Sequence, residues 1–288
     1  MICDPGSHCG RLKPVLTWKN RVGQMATKAG LPINPLTGTM KLGHPALGVD
    51  LHQFDGCLTM VMDQDEQKEL AGKILGFLQQ MTLEYGNEFI TIGGWAVHAY
   101  GAKEFSLDGD AMVSVLTQSS LRDQFVVTPN PRLKKQQFQM PEGYDVDLYV
   151  EHQHGLRVPF KELQDFCTFR NGLFVPCLEH LLILKLEAAR DRGHAPKGQK
   201  DREDIARLLS YADKNHHALN WMIMGDYLQD GDLNELKDLA TSPQVLRSIT
   251  NENHQEASKL KGNLSKLIQD TINARFPGNP PPSEGIQL

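Results

Sequence analysis

Between Asp65 and Tyr85 the apolar residues Leu70, Ile74, Phe77, Leu78, Met81 and Tyr85 return at steps of three and four, the spacing of one helix face. Gly86 follows where a C-terminal cap favours a residue without Cβ. The period then changes. Phe89-Ile90-Thr91-Ile92 is a short β-rich run, and Gly93-Gly94 turns the chain into a second helical stretch, Trp95 to Tyr100. Ser106 to Val115 reads as a strand of period two, and so does Tyr144 to Val150, whose alternation puts Tyr144, Val146, Leu148 and Val150 on one face and Asp145 and Asp147 on the other. Phe166–Arg170 and Leu173–Val175 are joined by Asn171-Gly172, a two-residue hairpin signal. Pro176 precedes an apolar helix, Leu178 to Leu186, and a further helix is expected from about Asp201 through Leu209. Residues 216–275 read as more helices, with Trp221, Met222, Ile223 and Tyr227 in the core and Leu260, Leu264, Leu267, Ile268 and Ile272 at helical spacing.

Composition narrows the class. The 288 residues are 40% hydrophobic and 23% charged with 16 prolines and 25 glycines, which excludes collagen-like, coiled-coil and wholly disordered chains. A net charge of -5 excludes a uniformly basic nucleic-acid coat but leaves room for a local basic groove. Residues 1–50 are basic on this acidic chain, carrying Arg11, Lys13, Lys19, Arg21, Lys28 and Lys41 against Asp4 and Asp50, either a solvated extension or an arm for a polyanion. One short helix is expected there, Trp18 to Ala29. No apolar run has the length of a membrane span or the form of a signal peptide, so a cytoplasmic protein without a membrane partner is expected. The cysteines at 3, 9, 57, 167 and 177 form no Cys-x-x-Cys pair and read as reduced thiols, and the spacing of Cys3, His8, Cys9, His44, His52 and Cys57 matches no familiar zinc site.

Chemistry gathers in the middle of the chain. A strand, two glycines and a helix allow backbone N–H groups to face a phosphate without a Cβ in the way, although a tight turn alone also explains Gly93-Gly94. On the strand that follows, Asp108 and Asp110 share a face, where two carboxylates repel unless a cation sits between them. The plainer reading of Asp108-Gly109 is a surface turn. With Asp147 a three-carboxylate cluster becomes possible, able to hold two divalent ions for in-line phosphoryl transfer.

Gly93-Gly94, thirteen residues (95–107), Asp108-x-Asp110 and a later Asp147 on its own strand together resemble the signature of the nucleotidyltransferase superfamily with a polymerase-beta-like fold. The stretch GGWAVHAYG is similar to bacterial members that include lincosamide nucleotidyltransferases and the toxin component of AbiE-type systems. Lys185 in its apolar helix, and the run Lys200-Asp201-x-x-Asp204 after Arg190 and Arg192, resemble further motifs of the toxin group. The resemblance covers residues 88–212. It implies an α/β (α+β) fold with a mixed-sheet nucleotidyltransferase domain (65–176) followed by a C-terminal helical domain (177–276). Composition sets a basic, Gly/Pro-rich extension (1–64) before them and a Pro-rich tail expected to be disordered (277–288) after them.

The same resemblance implies metal-dependent transfer of a nucleoside monophosphate from an NTP to an acceptor hydroxyl. Asp108, Asp110 and Asp147 would be catalytic and hold two Mg²⁺ or Mn²⁺ ions; Gly93, Gly94, Ser106, Lys185, Lys200, Asp201 and Asp204 would bind the nucleotide. Each basic or acidic position also has a plainer reading: Lys185 snorkels from the core edge, Asp201 starts a helix, and Arg190, Arg192, Lys197, Lys200 and Arg202 form a solvated face. An RNA acceptor, a tRNA end in particular, with a toxin or defence role and a protein antitoxin, is the acceptor reading carried furthest. Transfer to a small antibiotic is the first alternative. Glu104 and Gly109 depart from the family pattern and suggest a second, a catalytically inactive nucleotide-binding protein.

Overall fold

A computed structural model describes residues 63–102, 106–140, 144–229 and 231–275. The chain divides into two units, Met1–Val61 and Met62–Leu288, and every described residue falls in the second. The basic arm, its expected helix, the cysteines at 3, 9 and 57, Glu104 and the Pro-rich tail all lie outside the described residues.

The first helix, α1 (Gln64–Tyr85), opens on a capping box: Asp63 accepts from the backbone N–H groups of Asp65 and Glu66, and the Glu66 carboxylate accepts from that of Asp63. Ile74, Leu78 and Met81 of the expected stripe are buried, while Leu70, Phe77 and Tyr85 flank them half-buried. Gly86 closes the helix at φ 59°, a left-handed conformation that glycine adopts without strain. A 3₁₀ turn then leads into β1 (Phe89–Thr91).

Chain order continues with α2 (Gly93–Ala99), β2 (Gly109–Val113), α3 (Val115–Gln124), β3 (Val126–Asn130), β4 (Lys135–Gln139) and β5 (Asp145–Val150). The five strands form one mixed sheet in the order β1-β2-β5-β4-β3, in which only β2 and β5 run parallel. The strand expected over Ser106–Val115 is confined to Gly109–Val113. Ser106, Leu107 and Asp108 precede it, so Asp108 does not sit on the strand face expected to carry it beside Asp110, and Ser114 leaves the other end to cap α3 through the N–H of Thr117. On β5, Val146, Leu148 and Val150 are buried and the intervening residues are not, as alternation requires.

After α4 (Phe160–Phe166), which takes in the first residue of the expected hairpin, β6 (Thr168–Arg170) and β7 (Leu173–Val175) pair as a separate ribbon. Asn171 and Gly172 both have positive φ, the backbone of the tight turn their sequence signals. The remainder is helical: α5 (Leu178–Arg192), α6 (Pro196–Lys214), α7 (Trp221–Met224), α8 (Asp232–Thr241), α9 (Pro243–Ile249) and α10 (His254–Arg275). The whole run Leu178–Leu186 is buried, so α5 is the helix around which the others pack. One apolar core extends from α1 through the sheet to α10, where Leu260, Leu264 and Ile268 are buried. Met222, expected in that core, is instead exposed; Met224 is buried in its place, because the short α7 turns only one side inward.

Candidate active site

The parallel pair β2 and β5 places two carboxylates side by side. Asp110 and Asp147 are direct register partners, so their side chains rise from the same sheet face on adjacent strands. Asp145 is exposed near the start of β5, and Asp108 lies just before β2, mostly exposed, with the Lys197 ammonium 3.4 Å from its Oδ2.

The paired glycines explain how α2 approaches this face. A Cβ on Gly93, which has φ +66°, would stand 2.5 Å from Asp110 Oδ2, and a Cβ on Gly94 would stand 2.8 Å from both Cβ and Oγ of Ser106. Any larger residue would push the start of α2 off the acidic strand. The backbone completes the junction, with Ile92 N–H donating to the Asp110 carbonyl at 2.9 Å. Gly93, Gly94, Ser106, Asp108, Asp110 and Asp147 are therefore drawn to one place.

Burial, then the neighbouring charges of Asp147 and Asp108, push the Asp110 carboxyl up to about 6, against the opposing pull of Lys185 and Lys135. Tyr149, further along β5, has its phenol pushed up by burial and by the fields of Asp110 and Asp147. Asp147 accepts on Oδ2 from Lys135 Nζ, while its Oδ1 is buried with no hydrogen-bond partner among the described residues.

The site's basic side is arranged otherwise than its sequence suggests. Lys185 is buried on α5 and donates to Asp201 Oδ1 at 3.1 Å and to Asp204 Oδ2 at 2.7 Å. Arg192 holds the other Asp201 oxygen at 2.6 Å, and Arg207 reaches Asp204 Oδ1 at 3.3 Å. Burial works against the Lys185 charge, yet the two aspartates outweigh it and hold its pKa above the ordinary value. Asp201 does not start a helix: α6 begins at Pro196, and both acidic residues are buried on it as partners of Lys185. Arg190 is engaged by the fully buried Asp232, and Arg202 by the Gly193 carbonyl and Glu235. Of the basic run, Lys197 and Lys200 remain exposed, and Arg192 keeps nearly half its side chain accessible within the field of Asp110.

Lys135 and Tyr149 escape a reading by motifs. The structure supplies what the sequence does not: on β4 Gln136 and Phe138 turn inward, Lys135 and Gln137 lie on the opposite face, and Gln137 is the register partner of Asp147.

As a place for a divalent cation, the residues fit in part. Two carboxylates stand in register on adjacent strands, and one of them, Asp147, has a buried oxygen without a hydrogen-bond partner among the described residues, a donor set suited to a hard ion. Among the described residues no group of three His, Cys, Asp or Glu side chains is gathered closely enough to hold a metal, and Asp108 is paired with Lys197. A third carboxylate would come from Asp108 on leaving that exposed ion pair, which is weak.

No protein-family profile matches the chain, and no curated protein sequence does. Among solved structures it is similar to a Helicobacter pylori protein provisionally described as a nucleotidyltransferase, at 13% identity and a TM-score of 0.43 over 74% of this chain and 97% of that one. It is also similar to JHP933 from Helicobacter pylori, at 13% identity and a TM-score of 0.41 over 74% and 94% of the two chains. Likeness at this distance leaves the reading of the site to its own geometry.

Proposed function

We propose that this protein is a metal-dependent nucleotidyltransferase whose reaction centre is the Asp108, Asp110 and Asp147 face. The observation that carries the reading is the register of Asp110 against Asp147, with Gly93 packed on one carboxylate and the second holding an unpartnered buried oxygen. A fold keeps such a costly pair where a cation or a reacting group compensates it.

Asp108, Asp110 and Asp147 are the residues that hold Mg²⁺ or Mn²⁺, two ions in the full site. When bound, such ions neutralise a triphosphate and acidify a hydroxyl. Gly93, Gly94 and Ser106 border the phosphates, and Arg192, Lys197 and Lys200 supply accessible positive charge from the end of α5 and the start of α6. Lys185, Asp201 and Asp204 act behind them, because the ammonium is already shared by two carboxylates and serves to fix α6 against α5. In the reaction the acceptor hydroxyl oxygen bonds to the α-phosphorus of an NTP as the bond from that phosphorus to the bridging β-oxygen breaks. Pyrophosphate leaves, and the Asp147 carboxylate takes the hydroxyl proton.

For the acceptor we propose RNA, with a tRNA end foremost, in a toxin or defence role opposed by a protein partner. Incubating the full chain with Mg²⁺ or Mn²⁺, total RNA and each labelled NTP in turn tests the proposal. A labelled RNA band that is lost with Asp110→Asn supports it. Label on an aminoglycoside or lincosamide alone replaces RNA by a drug acceptor, and no transfer to any acceptor with any NTP overturns the enzymatic reading.

A further inference from the structure

We propose that Lys135 is a positioning residue of this site: its ammonium anchors one oxygen of Asp147, leaves the other free, and occupies the place of a cation at the third carboxylate until a divalent ion enters. The inference rests on the metal-binding reading above and adds a residue to it.

The two lysines beside the carboxylates differ in kind. Lys197 and Asp108 are 72% and 67% exposed, a solvated pair that restrains neither partner. Lys135 and Asp147 are 12% and 15% exposed, so each is the charge that permits the other's enclosure. The backbone delivers Lys135 deliberately. A 3₁₀ turn over Pro131–Leu133 and Lys134 at φ 49° reverse the chain from β3 into β4. Lys135 is then two residues from Gln137, the register partner of Asp147, and on the same sheet face. An ion pair that served stability alone would be expected to satisfy both carboxylate oxygens; here Lys135 takes Oδ2 and leaves Oδ1 buried without a hydrogen bond among the described residues. That arrangement fixes the carboxylate while keeping one lone-pair edge for a further ligand. It also places a positive charge beside any incoming metal, so Lys135 orients Asp147 and opposes the ion at once.

These two effects separate in experiment. Mn²⁺ is titrated calorimetrically into the full chain without nucleotide, and transfer from labelled NTP is measured in parallel. Lys135→Met is expected to bind Mn²⁺ about tenfold tighter, because a like charge has gone, while transferring at least about tenfold more slowly. Lys135→Arg, which keeps the charge, retains the wild-type Mn²⁺ affinity and part of the rate. Lys135→Met combined with Asp147→Asn, which removes both charges and so guards against misfolding, binds Mn²⁺ more tightly than Asp147→Asn alone, because the like charge is gone from that background too. Folded Lys135→Met with unchanged or weaker Mn²⁺ binding overturns the proposal and leaves the metal reading standing. Mn²⁺ binding that is identical in wild type and in Asp110→Asn overturns the metal reading itself, and this inference with it.

Discussion

Replacing Lys185 by methionine tests the buried charge network most directly. Methionine follows the lysine stem in length and suits the apolar surroundings of α5, so little packing is lost. Electrostatics changes more. Asp201 and Asp204 are 2% and 3% exposed, and each loses a hydrogen bond to the ammonium, 3.1 Å and 2.7 Å long. Arg192 and Arg207 remain as partial compensation. Breaking a buried pair by removing one member costs about 3–5 kcal/mol, since the abandoned charge stays desolvated. In a folded unit of this size each kcal/mol moves the midpoint by about 2–4 °C, so a fall of roughly 6–20 °C is expected in a thermal melt at pH 7.5. Lys185→Met with Asp201→Asn and Asp204→Asn should recover most of that loss, because neutral amides can stay buried. Lys185→Met melting with the wild type would refute the reasoning and return Lys185 to an edge lysine free to meet phosphate.

Other expectations follow from the same structure. Asp110→Asn should abolish transfer yet raise metal-free stability at pH 7.5 by up to about 3 kcal/mol, because the wild-type carboxyl, pushed up to about 6, is unfavourable while ionised. The wild type should gain on the variant in urea titrations as pH falls through 6 toward 4, and parallel curves would exclude the repulsion. Gly93→Ala should cost about 1–3 kcal/mol and most of the activity, since the new Cβ meets the Asp110 carboxylate at a positive φ; a wild-type melt would show that α2 shifts freely. His180 is fully buried between Phe166 and Tyr227 with neither ring nitrogen hydrogen-bonded among the described residues, and burial lowers it to about 4. Below pH ~6.5 the unfolded chain takes a proton that the folded chain refuses, so about 3 kcal/mol is lost between pH ~6.5 and ~4. His180→Phe should lack that loss, and equal acid sensitivity in the two proteins would remove His180 as its source.

Local chemistry made several elements readable in the sequence. The stripe on α1, its Gly86 cap, the alternation along β5 and the Asn171-Gly172 turn depend on side-chain spacing and backbone preference within a few residues, and each stands where its pattern put it. Strands β3 and β4 were not legible: Pro129 and the glutamines at 136, 137 and 139 resemble a loop, and only a partner makes a polar strand stable. Gln136 is buried because Gln118 of α3 donates to it at 2.8 Å. The candidate site divides the same way. Its carboxylates and glycines could be picked out as unusual neighbours, but their meeting depends on β5 pairing with β2 in parallel and on the one register that sets Asp147 opposite Asp110. The charges needed the fold even more. Lys185 finds Asp201 and Asp204 across a helix pair, and Lys135 finds Asp147 across a strand pair, contacts between residues at least twelve positions apart. A sequence states which charges exist; which of them neutralise one another, and which stay available for a substrate, is settled by the packing that brings them out of water together.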